Sequence, residues 1–269
     1  MGALIKNEWI KLIKKKSSWI MWIILAAMTF GITLLIRSTT NTGTERVIKA
    51  NEVFFNLTDM TSFLNLFVVI VAASIVAEEF SRGTIKFLLI RPFTRSQILF
   101  SKFIVCLIYG LVGTVILYVS SLAFSNLLLG VQSPFEVVKD FYGWNALTVA
   151  AAYACANLLL VLLYITITLF ISAAVRSQSL AVGVGLGVLF GSSIINTFLN
   201  ILMQERPWLK WNLFNMLNIK NTVMESTGEE ELLKTYLNFW QMAVGILIYS
   251  AIIYFAMQLL FKKRDVSLS

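Results

Sequence analysis

The sequence has no histidine, two cysteines and three prolines, and only 13% of its 269 residues are charged. Without histidine there is no Ser-His dyad and no H-E-x-x-H zinc site. Cys106 and Cys155 each fall inside a long apolar run, where a thiol reads as a small packing residue rather than a redox centre or metal ligand. An intramembrane aspartyl protease would need two membrane-buried aspartates, and Asp59, Asp140 and Asp265 all fall in expected loops or tails. No G-x-x-x-x-G-K-[ST] stretch is present to cradle phosphates. The expectation is a chain with no catalytic residue, no metal site and no cofactor of its own.

What is abundant is apolar surface. Hydrophobic residues make up 58% of the chain and the mean hydropathy is +0.80, outside the range of globular domains. About 20 apolar residues cross a hydrocarbon layer of about 30 Å as a helix. Six such runs occur, Trp19 to Ile36, Thr61 to Ala77, Phe103 to Phe124, Ala146 to Val175, Leu180 to Met203 and Phe239 to Phe261. None has the alternation of a β-barrel strand, so the expected fold is all-α, a polytopic membrane protein with six transmembrane helices in a single domain over 1–269. The fourth run is too long for an upright crossing and predicts tilt or an extension beyond the bilayer. The first run is too long for the core of a cleaved signal peptide and lacks a cleavage site before Arg37.

Charge sets an orientation. With the N-terminus in the cytoplasm, 14 of the 22 basic residues and 4 of the 14 acidic ones fall inside, giving +10 inside and −2 outside. The positive-inside bias predicts both termini in the cytoplasm. The overall charge of +8 then reflects topology and anionic lipid rather than nucleic-acid binding.

Two stretches on that side carry pattern. In residues 1–17, Ile5, Trp9, Leu12 and Ile13 share one helix face and Asn7, Lys11 and Lys14 the other, predicting a helix flat on the membrane with a turn at Ser17-Ser18 into the first crossing. Residues 78–102, EEFSRGTIKFLLIRPFTRSQILFSK, are too long for a simple turn. Ser81 suits the cap of a short helix with Ile85, Leu88 and Leu89 on its apolar face, and Pro92 ends it. Thr94 to Gln97 has capping-box spacing for a new helix running into the third crossing. Such an interrupted helix fits either a groove on a soluble partner, with Arg82, Lys86, Arg91 and Arg95 at its rim, or a solvated basic loop held on lipid.

An acidic pair closing the second crossing, an R-G-T turn, an apolar stretch, a proline and a Thr-Arg-Ser lead into the next crossing together resemble the permease subunits of the type-2 ABC exporter family. The N-terminal surface helix, the six crossings and the closing Lys262-Lys263-Arg264-Asp265 are similar as well. The resemblance implies that residues 81–92 are the coupling helix that sits in a cleft of a separate ATPase, with Glu79, Arg82, Gly83, Thr84, Lys86, Leu88 and Arg91 transmitting the nucleotide cycle. Arg176 and Gln178, between crossings four and five, would be a second contact. It further implies two permease chains, as copies or paralogues, and two ATPase subunits carrying ATP and magnesium, in a bacterial plasma membrane. Dimer contacts in that family involve crossings one and five. Crossing five here carries Gly183, Gly185, Gly187 and Gly191, and the last two have the G-x-x-x-G spacing for close helix approach. Packing within one chain accounts for them equally well.

Residues 204–238 join crossings five and six on the outside. Trp208, Trp211, Phe214, Met216 and Leu217 suit short helices dipping into the outer leaflet, followed by Glu225, Glu229, Glu230 and Glu231. The acidic group reads as a solvated loop or as a contact for a cationic peptide. None of the six runs contains an ionisable residue, which disfavours an ion-coupled carrier. Asn65, Asn157 and Asn196 are expected to bond between helices. The resemblance implies export of a lipophilic or membrane-active cargo such as an antimicrobial peptide or drug. A sodium or polysaccharide exporter of the same family, and a scaffold or sensor of permease shape, stay open.

Overall fold

All three prolines lie between the long apolar runs, so nothing within a run prevents the i to i+4 ladder that hides backbone polar groups from lipid. A computed structural model of the chain describes residues 1–40, 49–82, 93–137, 143–175, 177–227 and 236–263. The helices are α1 (Gly2–Lys14), α2 (Lys16–Thr40), α3 (Ala50–Thr58), α4 (Thr61–Ser81), α5 (Arg95–Leu129), α6 (Ala146–Ala174), α7 (Gln178–Glu205), a 3-10 turn (Pro207–Trp211), α8 (Leu213–Met216), α9 (Ile219–Thr227) and α10 (Phe239–Lys263). Among the described residues there is no strand, only an isolated antiparallel bridge between Val137 and Asn145. Six helices are long and apolar enough to cross a membrane: α2, α4 with α3 ahead of it, α5, α6, α7 and α10. They coincide with the six runs and indicate a membrane location.

The helix ends differ from expectation in ways that matter. α4 runs past Ala77 to Ser81, so Glu78 and Glu79 lie in its last turn and Ser81 closes α4, its hydroxyl donating to the Glu78 carbonyl. α5 begins at Arg95 and runs into the third crossing, opened by the expected capping box. There the Gln97 N–H donates to Thr94 Oγ1 at 3.3 Å and the Thr94 N–H to Gln97 Oε1 at 3.0 Å. At 35 residues α5, not the fourth crossing, is the longest helix, about 50 Å at 1.5 Å rise. The chain turns upright at Lys15, not at Ser17-Ser18, which are already inside α2. Lys15 takes an extended backbone, φ −76° and ψ 117°, and its ammonium reaches Glu78 at 2.7 Å. The bend thus lies beside a charge partner on a neighbouring helix.

α4 and α6 form the centre, with 67% and 61% of their apolar stretches buried, whereas α7 and α2 are peripheral at 17% and 22%. α4 packs on α5, α6 and α7, while α10 lies on α6 and α2 on α5. Two close approaches set the α5 seam. A Cβ on Gly113 would lie 2.4 Å from Leu64 Cδ1, and one on Gly110 would lie 2.7 Å from Val161 Cγ1. Beside them Trp22 stacks on Tyr109 with centroids 4.8 Å apart. The expected asparagine bond is present between α4 and α6, where Asn65 Nδ2 donates to Asn157 Oδ1 at 3.0 Å. Asn196 is buried with no partner for its amide among the described residues.

Among the described residues of 204–238 are a 3-10 turn and two short helices. Pro207 opens the 3-10 turn and Asn212 caps α8 by accepting from the Asn215 N–H at 2.8 Å. Met216 and Leu217 are buried while Trp208 and Trp211 stay exposed. Tyr249 of α10 donates its hydroxyl to the Trp211 carbonyl at 2.8 Å. Lys220 holds this segment to the start of α4 through Asp59 at 3.1 Å and Thr61 Oγ1 at 3.0 Å. Glu229, Glu230, Glu231 and the side chain of Glu225 fall outside the described residues.

Candidate functional site

Leu4, Glu8 and Leu12 recur every fourth residue on α1, share one face and are all buried. Ile5 and Trp9, beside that stripe, are half-buried against the main core. An acid in the middle of an apolar stripe needs a buried partner. It has one in Lys102 of α5, whose Nζ lies 2.7 Å from Glu8 Oε2 with side chains only 1% and 2% exposed.

Lys102 Nζ also lies 2.8 Å from Glu79 Oε1 and donates to the Ile75 carbonyl at 3.2 Å. An ammonium carries three donors, and here each has an acceptor, two of them in α4. Lys11 meets the other Glu8 oxygen at 2.6 Å and Glu79 at 3.3 Å. Glu78 is held by Lys15 at 2.7 Å and by Arg82 at 2.6 Å. Three carboxylates and four cations thus tie α1, the end of α4 and the start of α5 together. Burial alone would raise the Glu8 carboxyl above its ordinary 4.5, but the charge of Lys102 and the hydrogen bonds from Lys102 and Lys11 outweigh burial and lower it.

Arg95 adds a fourth element. Its Nη1 donates to the carbonyls of Phe261 and Lys262 at 3.3 and 3.2 Å, placing a cation at the C-terminal end of α10. Through these contacts the end of α4 is joined to α1 and the start of α5 is joined to the end of α10. The groups brought together are charged and hydrogen-bonded across four helices, α1, α4, α5 and α10.

Of the expected contact residues, the structure brings Glu79 and Arg82 into this network and places Gln178 at the start of α7, next to its cap Ser177. Gly83, Thr84, Lys86, Leu88, Arg91 and Arg176 lie outside the described residues. Glu8 and Lys102 are central, although both lie outside the six apolar runs and by sequence are only charges of the basic side. Lys102 lies one residue before the third run yet is buried inside its helix. Among the glycines of α7, Gly185 packs inward, where a Cβ would sit 3.1 Å from Val69 and 3.2 Å from Thr168. Gly183, Gly187 and Gly191 have nothing within 4 Å of an added Cβ. Internal packing accounts for Gly185 and not for the other three.

A family model described as "Protein of unknown function (DUF2705)" matches residues 19–267. The chain belongs to that family. The DUF2705 match takes in Glu78, Glu79, Arg82, Arg95 and Lys102 and begins after α1. Two relatives come from Bacillus subtilis (strain 168). "Uncharacterized protein YhcI" is 30% identical over 176 residues, 48% of this chain and 56% of the relative. "Uncharacterized membrane protein YdbK" is 31% identical over 131 residues, 47% of this chain and 51% of the relative. The chain thus matches about half the length of these relatives.

Proposed function

We propose that this chain is the membrane-spanning permease subunit of an ATP-binding-cassette exporter, driven through residues 81–92 by a separate cytoplasmic ATPase. The observation that carries this reading is the placement of Lys102 between Glu8 and Glu79. The two flanks of the 83–92 segment are fastened to each other and to a surface helix, so a push there moves three helices as one body. A lipid-anchored loop with no mechanical role needs no buried ion pairs behind it, since exposed charges serve that purpose at lower desolvation cost.

Both termini and the 83–92 segment then face the cytoplasm of a bacterial plasma membrane, in keeping with the charge bias. ATP and magnesium belong to the partner, two copies per assembly. A second permease chain, identical or paralogous, fits the outward glycines Gly183, Gly187 and Gly191, whose open surroundings allow close helix approach. The cargo is lipophilic or membrane-active, an antimicrobial peptide or drug, entering from the cytoplasm or the membrane plane. The apolar character of the six helices supports this choice.

The test is purification of the tagged full-length chain from its native host in mild detergent. A Walker-type ATPase should co-purify, and Gly83→Glu or Leu88→Glu should abolish its stimulation without loss of the folded chain. If no ATPase accompanies the chain and neither substitution has an effect, the exporter reading fails and a scaffold takes its place. Deleting the gene should raise sensitivity to cationic peptides rather than to sodium.

A further inference from the structure

In a regular helix the Ala77 N–H is bonded by the Ala73 carbonyl one turn earlier. In α4 both of these groups are engaged by a neighbouring helix. Ser172 Oγ, from α6, accepts from the Ala77 N–H at 3.0 Å and donates to the Ala73 carbonyl at 2.6 Å. Several other serine and threonine hydroxyls in the long helices bond back to their own preceding turn, as Thr33 does to Thr29, Thr114 to Gly110, Ser121 to Leu117 and Thr166 to Leu162. Ser172 is fully buried and directs both its donor and its acceptor to the backbone of α4. Two residues on, the Ile75 carbonyl receives Lys102.

A hydroxyl entering the ladder is one of the identifiable causes of helix bending. The surroundings offer little steric resistance to such a bend. Ala73, Ala77 and Ala181 form their own buried cluster of small side chains, and Gly185 faces Ala73 without a side chain. Further along α4, Leu64, Phe67 and Val68 are locked into the main core. On the side of Ala181 and Gly185 the step that Ser172 bridges is lined by small residues, while Val76 within it remains packed in the main core, and Glu78 and Glu79 follow at once.

We propose that the Ala73 to Ala77 step of α4 is a hinge pinned by Ser172, about which the end of α4 carrying Glu78 and Glu79 swings relative to the bundle. Its use in coupling rests on the exporter reading, but the hinge is a property of the isolated chain. Ser172 acts as a positioning residue: its hydroxyl offers Ala77 and Ala73 an alternative to each other, lowering the cost of opening that step while holding both ends in place.

The test is hydrogen exchange on the full-length chain in lipid nanodiscs without any partner. Ser172→Ala removes the hydroxyl that competes for the Ala77 N–H and the Ala73 carbonyl, so exchange of the 77–81 amides should slow about fivefold, in keeping with one strengthened backbone hydrogen bond, while residues 61–70 stay unchanged. Ser172→Thr keeps the hydroxyl and should exchange like the unsubstituted chain. If Ser172 only packs, its loss loosens the α4–α6 contact and exchange speeds up; that outcome, or no change, overturns the hinge. Should Ser172→Ala fail to fold, the near-isosteric Ser172→Cys, a weak hydrogen bonder, is expected to show the same slowing, and exchange equal to the unsubstituted chain overturns the proposal. Failure of an ATPase to co-purify would remove the exporter reading and leave the hinge measurement unaffected.

Discussion

Glu8 and Lys102 are 94 positions apart in the chain and 2.7 Å apart in space, both sealed from solvent. Removing one charge leaves the other with its remaining partner alone, Glu79 for Lys102 and the half-exposed Lys11 for Glu8. Lys102→Met or Glu8→Gln is expected to cost about 1.5–3 kcal/mol in a denaturant titration of the detergent-solubilised chain. Glu8→Leu combined with Lys102→Met should cost less than the two singles together, and the cycle should return a coupling of about 1–3 kcal/mol. Additive losses would show that the pair is not a unit.

The same pair sets an acid dependence. The folded state holds the Glu8 carboxyl below its ordinary 4.5, so folding favours the ionised form and the unfolded chain binds the proton more readily. The resulting stability is fully present above 4.5 and is lost as pH falls through the lowered folded value. A stability profile from neutral to acid pH should therefore be flatter in Glu8→Gln than in the unsubstituted chain, with no difference in slope above neutrality.

Glycines that look alike in sequence should respond in opposite directions. At Gly110 an added methyl meets Val161 Cγ1 at 2.7 Å, and a β-branched side chain has little freedom to move away. Gly110→Ala is expected to destabilise by about 1–3 kcal/mol. Gly187 faces open space, so Gly187→Ala should stabilise the single chain by about 0.5–1 kcal/mol through helix propensity. If that face holds a second permease, the same change weakens self-association in a cross-linking assay.

At the opposite end of the bundle the ion pair between Lys220 and Asp59 is of a different kind. Asp59 is 70% exposed, and water screens the attraction. Lys220→Ala should cost at most about 1 kcal/mol in the same titration. A loss as large as that of Lys102→Met would show this contact to be sealed by lipid.

The six long helices were legible because their signal is local: apolar runs without proline, and the Thr94 to Gln97 capping box written within four residues. The network was not. By composition Glu8 and Lys102 are ordinary charges beside the membrane, and their pairing depends on how α1 lies across α5. One sign was present, an acid spaced by four from Leu4 and from Leu12 on an apolar stripe. The bend at Lys15 was misplaced for a related reason, since its contact with Glu78 on another helix is not written in the local sequence. Spacing also could not say which α7 glycine turns inward, because that depends on where Val69 and Thr168 stand.

The ammonium that neutralises Glu8 comes late in the chain. During synthesis α1 emerges first, followed by α2 and α4, and throughout that interval the carboxylate has no buried cation to meet. Until α5 lies beside α4, the Glu8 carboxylate has only Lys11 of its own helix to meet, so burial of α1 is expected to follow α5. Docking of Glu8 on Lys102 therefore reports that three membrane helices have assembled in the right order. A ribosome-stalled chain ending before Lys102 should leave α1 open to protease, and one extending beyond α5 should protect it.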